Sequence, residues 1–279
     1  MIGLLMIKDE TDMLAEALRN HTVFCDAIYV LDGTEGPLQA QSEAICRSFP
    51  QIKGYWCDTD TGIARPLKDG ARGFLLQHAR TEQGHGHWYA VLHGDEIWSQ
   101  DPRNLVAECP EGVHACSINL YHFFPHVSER KTWNYVPNVT SIEACATHFM
   151  LPGILEHRLF YDTGAYDYDI GRHSRVVPMG LDVFHTDFAV KQYNYRTPHQ
   201  AHTRAVMRRD DAWQQNHYRH LIDGTDHFFI ETLANDTHKW AGLVPIGEGT
   251  VTNFAETPLP HLQPPGTVLI NAVQDKATL

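Results

Sequence analysis

Trp88-Tyr89-Ala90-Val91-Leu92-His93-Gly94-Asp95-Glu96-Ile97-Trp98 runs apolar for five residues and then turns charged. A short, uninterrupted apolar run stopped by a glycine-containing turn is the pattern of a strand covered on both faces. Two adjacent carboxylates directly after such a strand are costly unless they are solvated, paired or bound to a cation. The stretch therefore predicts a central strand that delivers charge to a sheet rim. The bland alternative is a polar turn with Glu96 opening a helix.

Upstream, Leu67, Ala71, Phe74, Leu75 and His78 recur on one helical face from Pro66 onward. Ile52–Trp56 and Ala27–Leu31 read as further buried strands, with a helix around Leu38–Arg47 between them. Ile2–Ile7 is another compact apolar run, followed by acidic residues suited to a helix start and by Met13, Leu14, Ala17 and Leu18 at helical spacing. Strands alternating with helices imply a mainly parallel α/β sheet, and ligands of such sheets sit beyond the carboxyl ends of the strands. Lys8-Asp9, Asp32-Gly33 and His93 to Glu96 all fall at predicted strand ends. Downstream, "GVHACSINLYHFF" predicts one strand, and "LEHRLFYD" and "SRVVPMGLDVFH" predict two or three more. Helices are predicted over Pro198–Arg209, capped by Thr197, and over Asp211–Leu221, with an extended tail from Leu243.

The 279 residues are enough for one large α/β domain or a core with an appendage. No apolar run approaches the length of a membrane span, and the first residues lack a basic leader, so a cytoplasmic protein is expected. With 34 acidic against 22 basic residues, the net charge of −12 disfavours nucleic acid and anionic membranes as partners. Six cysteines without a CxxC pair are expected to be reduced and mostly structural. The 19 histidines are scattered. His85, His87, His122 and His126 have spacings that could suit zinc, but neither HExxH nor a cysteine cluster accompanies them. The sequons at Asn20, Asn138 and Asn235 are expected to be incidental.

Four segments, in order, resemble the family 2 glycosyltransferases and related groups. They are "GLLMIKDETDMLAEALRNH", "DAIYVLDGTEG", "WYAVLHGDEIW" and "FAVKQYNYRTPHQAHTR". The resemblance implies a GT-A (Rossmann-like) fold: a mainly parallel sheet flanked by helices, with a helical C-terminal part. It implies a nucleotide-sugar-binding half over residues 1–100 and an acceptor-binding half over 101–279, within one continuous domain. It further implies transfer of a sugar from a nucleotide-diphosphate sugar to the hydroxyl of a glycan, small-molecule or protein acceptor, assisted by Mn²⁺ or Mg²⁺.

Carried over by position, the resemblance assigns Asp95 to the metal and Glu96 beside it. Ile7, Lys8 and Asp9 would line the base pocket, and Asp32 would meet the base or ribose. His93 departs from the family, standing where an aspartate is usual, and is a candidate for ribose or metal. His185 is the candidate third metal ligand, with His173 second. Lys191 and Arg196 are candidates to hold diphosphate, whose paired oxygens suit a planar guanidinium. Gln192 departs from the family's histidine.

An inverting transferase needs a carboxylate base near the acceptor. Glu156, Asp162, Asp167 and Asp169 lie among Tyr161, Tyr166 and Tyr168, and Asp167 is the candidate. Two other readings compete: a metal-dependent hydrolase using the histidine–carboxylate cluster, and a related binding protein without turnover.

Overall fold

A computed structural model describes residues 1–63, 69–150, 154–168, 176–178, 180–207, 228–230, 243–245 and 269–270. The expected helix over Asp211–Leu221, His173, Asp169, Asn235 and most of the tail lie outside the described residues. The described elements are β1 (Ile2–Ile7), α1 (Leu14–His21), β2 (Ala27–Asp32), α2 (Pro37–Arg47), β3 (Ile52–Cys57) and α3 (Asp58–Thr61). There follow α4 (Arg72–Gln83), β4 (Trp88–His93), β5 (Glu96–Trp98), α5 (Pro102–Ala107), β6 (Ala115–Phe124), β7 (His148–Met150) and β8 (Ile154–Tyr161). The last are β9 (Val183–Tyr193), α6 (Pro198–Met207), β10 (Leu243–Pro245) and β11 (Leu269–Ile270).

The chain divides into two compact units. The first comprises residues 1–119, 155–190 and 262–279, and the second residues 120–154 and 191–261. Residue 100, the expected boundary between halves, falls inside the first unit.

In the first unit β3, β2, β1 and β4 run parallel in that spatial order, with Ile2 opposite both Ala27 and Tyr89. β8 then pairs antiparallel with β4, Trp88 facing Tyr161. This is the expected α/β sheet, parallel at its centre and mixed toward β8. β1 is sandwiched between two strands and covered on its faces, which is why it reads as IGLLMI without polar alternation. Ile2, Leu4, Tyr29, Val91 and Phe160 pack with Leu75 and Leu76 of α4 in the main core. α4 ends where Gly84 takes φ +78, a conformation glycine enters at little cost. α5 begins with Asp101 accepting the Arg103 N–H at 2.9 Å and Pro102 in its first turn.

In the second unit β7 pairs antiparallel with the end of β6 and β10 with β7. Among its described residues Glu129 is buried and accepts the N–H groups of His126 (2.7 Å) and Thr147 (2.7 Å), the Thr147 hydroxyl (2.6 Å) and a bond with His148 Nδ1 (3.0 Å). Among the described residues no helix is long and apolar enough to cross a membrane.

Candidate functional site

β4 carries its charged residues to the carboxyl end of the parallel sheet. His93 is its last residue, Gly94 makes the turn, and Asp95 and Glu96 follow, both fully buried. Gly94 is required by close approach: a Cβ there would lie 2.5 Å from Glu10 Oε2 and 2.9 Å from Ile7 Cγ2. The loop after β1 thus packs against the turn after β4. One ligand atom from each of His93, Asp95 and Glu96 lies within 4.8 Å of the others, the one such three-residue group found among the described residues.

Two buried arginines, missed in the sequence, organise this cluster. Arg158 on β8 places Nη2 2.6 Å from Glu96 Oε1 and 2.9 Å from Glu156 Oε2. Arg72, the first residue of α4, pairs with Asp69 at 2.5 Å and sets Nη2 2.5 Å from His93 Nε2. A guanidinium only donates, so Nε2 of His93 accepts and its Nδ1 carries the proton. That Nδ1 lies 3.3 Å from Glu96 Oε1. His93 is therefore a neutral strut between Arg72 and Glu96, with both ring nitrogens engaged. Burial pushes the Glu96 carboxyl up to about 8, Arg158 pulling the other way and Asp95 adding to the rise. Glu96 Oε2 is buried without a hydrogen-bond partner in the described structure. Beneath the turn, burial pushes the His21 imidazole down to about 3.

A divalent cation fits this donor set. Oxygen ligands suit Mn²⁺ and Mg²⁺, and Glu96 Oε2 is an acceptor awaiting a positive partner. The residues that would hold the ion are Asp95 and Glu96. His93 would have to release Arg72 or Glu96 to join them.

The other strand ends are closed by their own hydrogen bonds. Asp32 is fully buried, its Oδ1 accepting the Thr34 N–H at 2.7 Å and its Oδ2 the Tyr55 hydroxyl at 2.5 Å. Asp9 adopts φ +59, donates its N–H to Thr34 Oγ1 at 2.9 Å, and Gly33 N–H reaches the Ile7 carbonyl at 2.9 Å. The β1 and β2 loops are thus stitched together, as their shared rim position predicts. Lys8 is exposed and Ile7 buried. Burial raises the Asp9 carboxyl above its ordinary value, with Lys8 opposing.

The remaining candidates have contacts of their own. His185, on β9, is not a member of the His93–Asp95–Glu96 group. Its ring lies 6.2 Å from that of His157, whose Nδ1 is 2.5 Å from Ser117 Oγ. Burial lowers the His185 imidazole, and neither of its ring nitrogens has a hydrogen-bond partner in the described structure. Asp167 is 68% exposed and ion-paired with Arg80, which also holds the buried Asp162 at 2.7 Å. In the second unit Lys191 pairs with Glu143 at 2.6 Å. Arg196 is buried and donates to the Tyr193 carbonyl at 2.8 Å. Of the histidines spaced for zinc, His85 meets Asp162, His87 the Gln83 carbonyl, His122 Asn194, and His126 Ser128. Asn20 of the first sequon spends its amide on both backbone groups of Trp98.

Arg158 gave no clear signal, since it follows Glu156 and His157 and so reads as part of a polar patch on its strand. Arg72 gave none either, since it opens a helix and reads as a solvated charge.

No protein-family model matches the chain, and no curated protein matches it. Among solved structures, S. aureus TarS residues 1–349 is 10% identical, with a TM-score of 0.36 over 80% of this chain and 69% of that one. A Bacillus anthracis protein described as a glucose-1-phosphate thymidylyltransferase, solved with sucrose, is 14% identical, with a TM-score of 0.32 over 58% and 72%. HddC from Yersinia pseudotuberculosis is 8% identical, with a TM-score of 0.32 over 58% and 74%. At TM-scores this low the likenesses carry no weight for fold or function.

Proposed function

We propose that the chain is a glycosyltransferase that takes a sugar from a nucleotide-diphosphate donor and passes it to an acceptor hydroxyl, aided by Mn²⁺ or Mg²⁺. The observation that supports this reading is the convergence of three strand ends on one rim of a parallel sheet. Two are closed and shaped by their own hydrogen bonds, and the third carries the buried Asp95–Glu96 pair with an unpartnered carboxylate oxygen.

In this reading Asp95 and Glu96 Oε2 hold the cation, which supplies positive charge against the diphosphate as it leaves. Arg158 orients Glu96 and holds its Oε1 side. Arg72 and His93 keep the turn in place and occupy the position of the family's first aspartate with a neutral ring. Ile7, Lys8 and Asp9 line the nucleoside side. Asp32 shapes that side through Thr34 and Tyr55, so a ribose contact would share Oδ2 with the Tyr55 hydroxyl. The acceptor is a glycan, small molecule or protein.

Calorimetry against a panel of nucleotide sugars, with and without Mn²⁺, tests the proposal when paired with an assay for donor hydrolysis. Micromolar, Mn²⁺-strengthened binding with turnover is expected. Binding without turnover moves the reading to a non-catalytic binding protein, and the absence of any nucleotide binding ends it.

A further inference from the structure

Cys109 and Cys116 take no part in the site described above, yet their sulfurs lie 3.8 Å apart. Cys109 follows α5 and is half-buried, while Cys116 is the second residue of β6 and is fully buried. The intervening loop turns back through Gly112 at φ +83 and the Val113 N–H to Pro110 carbonyl bond. The fold itself thus brings the two thiols together.

We propose that Cys109 and Cys116 are a redox modification site, at which the pair is oxidised to an internal disulfide by a small-molecule disulfide of the glutathione class. Closing the bond requires the sulfurs to move from 3.8 Å to a covalent length of about 2.05 Å. At 3.8 Å the two sulfurs are already in van der Waals contact, so no other atom lies between them.

The two sulfurs have unequal roles. The Cys116 S–H donates to the Cys109 sulfur, and this bond holds the Cys109 thiol below its ordinary value, with burial opposing. The same bond, with burial, pushes the Cys116 thiol up. Cys109, the more exposed of the two, is the attacking thiol and the buried Cys116 the resolving thiol. In the first step Cys109 thiolate attacks one sulfur of glutathione disulfide, forming a mixed disulfide and releasing one glutathione thiolate. In the second step Cys116 transfers its proton to that thiolate or to water. Its sulfur then attacks Cys109 Sγ, the protein disulfide forms, and the second glutathione departs. Two protein thiols are oxidised and one glutathione disulfide is reduced to two glutathiones.

Selectivity follows from the surroundings of the other thiols. Burial pushes Cys46 up to about 12, and Cys25 and Cys57 also upward, so their thiolate fractions are small. Cys145 is buried and directs its S–H to Asn134 Oδ1 at 3.2 Å.

The test treats the native full chain with glutathione disulfide, quenches with acid, and maps the products by mass spectrometry. The expected result is loss of two hydrogens, a peptide crosslink between Cys109 and Cys116, four cysteines still open to alkylation after unfolding, and full reversal by dithiothreitol. Cys116→Ser is expected to stop at one glutathionyl group on Cys109. The proposal is overturned by a glutathionyl group that persists on Cys109 of the native chain without an internal crosslink. It is equally overturned by a crosslink to another cysteine, or by no reaction at Cys109 while free cysteine in the same tube is consumed. The native-chain measurement decides the matter even if the variant fails to fold.

Discussion

Glu96 and Glu129 are both buried glutamates, and their surroundings drive them in opposite directions. Burial alone would raise Glu129, but bonds from His148, Thr147 and the backbone of His126 and Thr147 hold it below its ordinary value. Burial raises Glu96 to about 8 even with Arg158 beside it, and its Oε2 has no hydrogen-bond partner in the described structure. Glu129 has every reason to be ionised and nothing left to bind. Glu96 is incompletely satisfied, and a buried polar atom left without a partner calls for an explanation, which the proposed cation would supply. The contrast separates a carboxylate whose bonds are all made within the fold from one that, under the proposed function, would take a cation.

The largest effect expected from that contrast is on activity. Asp95→Asn should lower sugar transfer by about 10²- to 10³-fold and abolish the Mn²⁺ dependence of donor binding, with the melting temperature retained. Steady-state kinetics and calorimetry check this, and an unchanged Mn²⁺ dependence would erase the distinction between the two glutamates.

Arg158→Met should destabilise the fold by about 3–5 kcal/mol in urea unfolding, since it strands Glu96 in the interior. The double variant R158M/E96M should recover most of that loss.

Gly94→Ala should cost about 1–3 kcal/mol, because its Cβ must displace Glu10 or Ile7. Nucleotide affinity should fall with it as the β1 and β4 loops are pushed apart.

The pH dependences should have opposite signs. Between the ordinary glutamate value near 4.5 and about 8, folded Glu96 keeps a proton that the unfolded chain has released, so it makes stability fall as pH rises through that window. Glu96→Gln should remove this decline. Folded Glu129 stays ionised below the pH at which the unfolded chain takes up a proton. Its contribution is therefore present above the ordinary glutamate value and lost as pH falls through its lowered value. Denaturation of each variant across pH 3 to 9 checks both slopes.

The smallest effect is expected at Lys191, whose pair with Glu143 is partly exposed. Lys191→Met should change stability by less than about 1 kcal/mol.

The central sheet was legible because strands buried on both faces leave uninterrupted apolar runs, as in IGLLMI and WYAVLH. Helix limits followed where glycine, proline or a cap marked them: α2 over Pro37–Arg47 and α6 over Pro198–Met207 match their expected cores. The strands expected within "SRVVPMGLDVFH" were harder to place. β9 begins at Val183 and continues to Tyr193, well past the end of the stretch from which a strand was expected. At the site, the grouping of His93, Asp95 and Glu96 was legible from adjacency. What holds them was not, since Arg72 and Arg158 arrive from α4 and β8, and contacts between distant segments leave no local pattern. Whether Asp32 and Asp9 serve a ligand or their own turns depends on the Thr34 and Tyr55 bonds, which spacing alone does not reveal.

β1 is paired on both edges, and one of those edges belongs to β4, so Ile2 waits for Tyr89 to complete its sheet. A hexamer as apolar as IGLLMI, held open on one side until β4 has formed, is exposed to competing strands for as long as the slow non-local step lasts. A delay in β4 pairing is therefore expected to lengthen the exposure of the β1 edge. Substitutions that delay the turn at Gly94 would appear first as aggregation during refolding, before any loss of binding could be measured.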